Sequence, residues 1–126
     1  MRHIEDSLQK NCVQWFSFAY RPYYRLLHHS PNGGKRNAIE AAKFKAMGVR
    51  AGFPDLILCV ARGGYHGLFV ELKTAKGRQT ENQKYFQKAL EAQGYKYEVV
   101  RSLDEFRQII SNYMNEKQDN NDRRDY

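Results

Sequence analysis

Two carboxylates and one ammonium stand where charge is costly. Asp55 opens an apolar run within GFPDLILCV (52–60), and Glu71 and Lys73 lie inside VELKTAKGR (70–78). An ionised group taken out of water without a partner loses several kcal/mol of solvation, so something must compensate for acids placed at strand positions. Residues two apart in a strand share a face, which sets Glu71 beside Lys73 at about 7 Å between Cα atoms, with Phe69 on the same face. If residues 56–61 and 68–73 form a hairpin whose turn is centred near Gly64, Asp55 arrives opposite the end of the second strand, close to both. A one-residue change in the turn would alter that pairing.

Two acids so close repel unless a cation lies between them. Hard oxygen ligands suit Mg²⁺ or Mn²⁺, which need few protein ligands and keep several waters. A protonated lysine beside such a site can orient a water or stabilise charge on a phosphate. The set is therefore equipped for metal-assisted hydrolysis of a phosphodiester. The alternative is a salt bridge among Asp55, Glu71 and Lys73 that only ties the hairpin.

The elements that must position these residues follow from spacing. Apolar residues at Ile4, Leu8, Cys12, Trp15 or Phe16, and Ala19 mark an amphipathic helix ending before Arg21-Pro22. PYYRLLHH (22–29) has the aromatic and aliphatic content of a strand, and SPNGGKR (30–36) that of a loop. A short helix over 37–47 is stopped by Gly48. After the hairpin, Thr80 with Gln83, and Ser102 with Glu105, have capping-box spacing and place helix starts near 81 and 103. YKYEVV (95–100) between them is a further strand. Helices alternating with strands predict an α/β fold, a mixed sheet flanked by helices. The length suits one domain, taken as 1–115, and the unpatterned 116–126 is expected to be disordered.

The formal net charge is +7; setting aside the three bases and four acids of 116–126 leaves 18 bases against 10 acids. That sign favours polyanions. Cys12 and Cys59 lie in apolar patterns and, without spaced cysteine or histidine partners, make no structural zinc site; both are expected to be reduced core residues. No stretch approaches the roughly 20 apolar residues of a membrane helix and no signal core opens the chain, so a cytoplasmic protein without a membrane partner is expected.

PD at 54–55, fifteen residues, then ELK at 71–73 resembles the PD-(D/E)XK nuclease motif. GVRAGFPDLIL (48–58) and GLFVELKTAKGRQTENQKYFQKALEAQGY (67–95) narrow the resemblance to the VRR nuclease family, the virus-type replication and repair nucleases with small stand-alone phage members. The similarity runs from the first helix to about Val100 and implies a restriction-endonuclease-like fold. It further implies that Asp55, Glu71 and the Leu72 carbonyl bind the metal, that Lys73 positions the attacking water, and that an acid in the first helix and a glutamine in the helix after the ExK strand take part. Glu5 fits the former role independently, since it precedes Leu8 and Cys12 in helical phase; a glutamate favoured by the helix dipole is the alternative. Gln83 fits the latter, and a capping box explains it equally well.

The 30–36 loop corresponds to one that the family places beside its active site. Gly33 and Gly34, with Asn32, allow backbone amides near a phosphate, and Lys35 and Arg36 supply charged contacts; a plain flexible loop is the alternative. Lys43, Lys45, Arg50, Lys76 and Arg78 extend the basic surface. His28 and His29 are assigned a strand-end or DNA-facing role. The expected activity is a Mg²⁺-dependent endonuclease acting as a homodimer on branched DNA, with the aromatic WFSFAY segment (15–20) as a possible dimer surface. The rivals are a monomeric flap or end-directed nuclease and an inactive DNA-binding module. Retention of Asp55, Glu71 and Lys73 together argues against the last.

Overall fold

The computed structural model describes residues 2–31 and 37–118. Helix α1 (Arg2–Ala19) leads into a short 3-10 helix (Arg21–Leu26) and strand β1 (Leu27–His29). Then come α2 (Ala38–Ala46), the strands β2 (Leu56–Leu58) and β3 (Leu68–Leu72), helix α3 (Glu81–Ala92), strand β4 (Lys96–Val100) and helix α4 (Leu103–Met114). The sheet order is β1-β2-β3-β4. The first two pairings are antiparallel, and the last is parallel across the α3 crossover. This is a mixed sheet flanked by helices, an α/β fold.

The strand expected over 22–29 is mostly something else. Pro22 sits in the first turn of the 3-10 helix, where its fixed φ suits helical geometry and its missing N–H is not needed. Only Leu27–His29 reach β2. Both capping positions do start helices. Thr80 and Gln83 form the full reciprocal box, whereas Glu105 carries its side chain past the cap to the Arg101 N–H.

Alternation in β3 splits its side chains between two environments. Leu68, Val70 and Leu72 join Cys12 and Phe16 of α1, Leu56 and Leu58 of β2, Val100 of β4, and Phe106, Ile110 and Tyr113 of α4 in one apolar core. Burial pushes the Cys12 thiol up to about 12, so it remains a protonated core residue. Cys59, by contrast, is exposed; it lies beyond Leu58 and is not part of that core. The opposite face carries Phe69, which meets Phe53 and Tyr95 edge-on, and Phe53 in turn meets Phe86 of α3. Glu71 belongs to this second face.

The hairpin turn sets the pairing. Gly63 and Gly64 both have positive φ, and the Tyr65 N–H donates to the Arg62 carbonyl, giving a two-residue turn of the type that glycine favours. Arg62 pairs with Tyr65, yet Leu58 pairs with Leu68, so the first strand spends one more residue than the second between these two pairs. That extra residue brings Leu56 against Val70, and one step further along the register sets Asp55 opposite Glu71. Without it, Asp55 would face Leu72, and the two acids would stand on different faces. Residues 119–126, most of the expected disordered tail, lie outside the described residues.

Candidate active site

Asp55 stands at the entry to β2 behind the buried Pro54. Its carbonyl accepts the Ser30 N–H at 2.9 Å and lies 2.9 Å from His29 Nδ1, which ties β1 to this corner. Its side chain crosses to the neighbouring strand, where Oδ2 accepts the Leu72 N–H at 2.7 Å. A strand residue projects its N–H and C=O to the same edge, so the Leu72 carbonyl is turned toward Asp55 as well. Burial raises the Asp55 pKa, and the negative charges of Glu5 and Glu71 raise it further; the Leu72 N–H and His29 offset part of this.

Glu71 is fully buried. Its Oε1 accepts the Tyr97 hydroxyl at 2.5 Å and the Gln79 amide at 3.0 Å, whereas its Oε2 has no hydrogen-bond partner. Lys73 Nζ is 4.0 Å from Oε2, too far for a hydrogen bond. The lysine follows the end of β3, its N–H anchored on the Val100 carbonyl at 2.9 Å. The turn after it is braced from β4's end, as Arg101 Nη1 donates to the carbonyls of Thr74 at 2.8 Å and Gly77 at 2.6 Å. That brace fixes the segment delivering Gln79.

A buried carboxylate oxygen without a donor costs free energy unless a cation meets it. Two carboxylates and a carbonyl are hard oxygen donors of the kind that suits Mg²⁺ or Mn²⁺. Among the described residues no three His, Cys, Asp or Glu side chains form a cage of their own.

The VRR-NUC domain model matches residues 2–104. The chain belongs to the VRR-NUC family. A solved structure described as a VRR_NUC domain protein is 39% identical, with a TM-score of 0.75 and 87% of each chain covered. No curated protein matches. A VRR-NUC domain is a nuclease of the PD-(D/E)XK type, so nucleic acid is the substrate class.

The remaining residues singled out from the sequence fall variously within this VRR-NUC domain. Glu5 of α1 is close enough to influence Asp55 electrostatically. Gln83 is engaged at the start of α3, its Oε1 accepting the Thr80 N–H at 2.8 Å; the glutamine touching Glu71 is Gln79. Arg50 is exposed and donates to the Lys45 carbonyl at the end of α2, while Lys76 and Arg78 are carried on the loop following Lys73, Lys76 exposed and Gly77 beside it held by Arg101. Asn32, Gly33, Gly34, Lys35 and Arg36 lie outside the described residues. Tyr97 and Gln79 escaped the sequence reading. Nothing local marks them, because their contact with Glu71 depends on a parallel strand register and a loop path.

Proposed function

We propose that the protein is a Mg²⁺- or Mn²⁺-dependent DNA endonuclease that cuts branched duplex DNA as a homodimer. The observation that carries the metal requirement is the buried, donorless Glu71 Oε2 beside Asp55 and Lys73. Asp55, Glu71 and the Leu72 carbonyl are the ligands in this reading. A divalent ion bound there supplies charge stabilisation to the phosphate and lowers the pKa of water. Lys73 orients the attacking water and stabilises negative charge on the phosphate. The water oxygen bonds to phosphorus and one P–O ester bond breaks, leaving a phosphate monoester and a hydroxyl.

The basic surface supplies sequence-independent attraction, with Lys76 and Arg78 exposed on the loop that follows Lys73. Cutting both strands of a junction symmetrically needs two sites related by a two-fold axis, and one chain offers one Asp55, Glu71 and Lys73 set. A closed dimer meets that need. Support for dimerisation comes from α2, which has no buried residue and holds Ile39 at 81% exposure, with Met47 at its end 69% exposed. In WFSFAY, Phe16 is buried and Trp15 and Tyr20 pack on the core, leaving Phe18 as the strongly exposed aromatic.

The test is incision mapping on end-labelled four-way junctions, flaps and linear duplexes, in Mg²⁺ and in EDTA, with oligomeric state measured by sedimentation. Paired junction incisions that require metal are the expected result. Cutting in EDTA would overturn the metal requirement. A monomer that trims ends and leaves junctions whole would overturn the junction assignment, and binding without any cutting would indicate an inactive module.

A further inference from the structure

The two oxygens of Glu71 have sharply different surroundings. Two neutral donors converge on Oε1 and none reaches Oε2, although the carboxylate is fully buried. A glutamate side chain turns readily about its last torsion, so the assignment of one oxygen to protein and the other to a ligand must be enforced from outside. We propose that Tyr97 and Gln79 are positioning residues that hold Glu71 through Oε1 and thereby reserve Oε2 for the divalent cation. The inference rests on the metal-dependent reading above.

The placement of each residue suits this work. In the parallel register Tyr97 lies opposite Phe69, two residues before Val99, the partner of Glu71, and is 5% exposed, so its ring lies along the sheet with the hydroxyl ending at Oε1. Gln79 is locked from a second side. The same Nε2 donates to Gln87 Oε1 at 2.9 Å, and Gln87 Nε2 donates to Glu91 Oε2 at 3.3 Å. With both N–H groups of Gln79 aimed at acceptors, a flipped amide would set its oxygen against the Glu71 carboxylate. Both donors are uncharged, so neither forms the ion pair with Glu71 that an arginine at either position would. Removing such supporting hydrogen bonds weakens metal sites by about 10- to 100-fold.

The experiment is a Mn²⁺ titration of the full chain without DNA, by calorimetry, on wild type, Tyr97→Phe, Gln79→Leu and the control Tyr95→Phe. The control removes a hydroxyl from the same strand region without touching Glu71. Saturable wild-type binding, a Kd about 10-fold weaker or more in Tyr97→Phe and in Gln79→Leu, and an unchanged control are expected. In cleavage assays the Mg²⁺ concentration for half-maximal rate should rise while the KM for DNA stays put. Gln79→Leu keeps the test decisive if Tyr97→Phe fails to fold. Wild-type affinity in the Gln79 variant and in any folded Tyr97 variant would overturn the positioning role alone. Absence of saturable binding by the wild type would overturn the metal-dependent reading, and this inference with it.

Discussion

Asp55 shows how function and stability oppose each other at a single residue. Burial and two acidic neighbours raise its pKa, so its charged form disfavours the metal-free fold. For a carboxylate whose folded pKa lies above its unfolded value, stability is greatest below the unfolded pKa and is lost as pH rises through the folded one. Asp55→Asn removes the charge and can still accept the Leu72 N–H. This variant should therefore melt higher than wild type at neutral pH without metal, with the gap closing as pH falls; an equal or lower melting temperature at neutral pH would contradict the account. Glu71 and Lys73 can be placed side by side from the sequence because strand alternation puts residues two apart on one face, whereas Asp55 joins them only through the hairpin register. Tyr97 cannot be placed in this way, since its contact with Glu71 spans 26 residues of chain and depends on how β4 registers against β3.

At the scale of elements, helix α3 has the best defined start. Thr80 accepts the Gln83 N–H, and Gln83 accepts the Thr80 N–H. Losing the hydroxyl in Thr80→Ala should cost about 1 kcal/mol, measurable by denaturant unfolding. The same helix start is pressed by the approach to β2. Gly52 has φ +83°, and a Cβ there would come within 2.5 Å of Asn82 Cβ and 2.9 Å of the Asn82 backbone carbon. Gly52→Ala should thus destabilise by roughly 2 kcal/mol or more, and an effect under about 0.5 kcal/mol would show that the loop yields freely. Capping boxes are local, so both helix starts are legible in the sequence. The 3-10 helix resembles a strand in composition because its tyrosines have high strand propensity, while the backbone preference of Pro22 decides the turn. The extra residue in the β2–β3 hairpin is invisible because the three residues it falls among, Cys59, Val60 and Ala61, include no glycine to mark it.

For the whole molecule, charge and exposed apolar surface govern encounters. A formal charge of +7, with Lys76 and Arg78 on the loop beside the acidic centre, predicts DNA binding that weakens steeply with salt. Changing both residues to alanine should lower the logarithmic salt slope by about 0.9 for each phosphate no longer neutralised, on all duplex sequences alike. An unchanged slope would place the loop outside the footprint. If α2 forms the dimer surface, Ile39→Glu should shift sedimentation toward monomer while leaving the melting transition cooperative. An aromatic dimer surface at WFSFAY is a fair expectation from sequence, but helical phase alone cannot show that α4 and the sheet already cover most of it.

A divalent-metal phosphodiesterase built on Asp55, Glu71 and Lys73 is tested most directly by single-turnover cleavage of labelled junction DNA in Mg²⁺ by wild type and Asp55→Asn. Wild type should cut. The variant should bind the same DNA at least as tightly, because a negative charge near phosphate is gone, while its cleavage rate falls by about 100-fold or more. Cleavage by Asp55→Asn at a near wild-type rate would contradict the account.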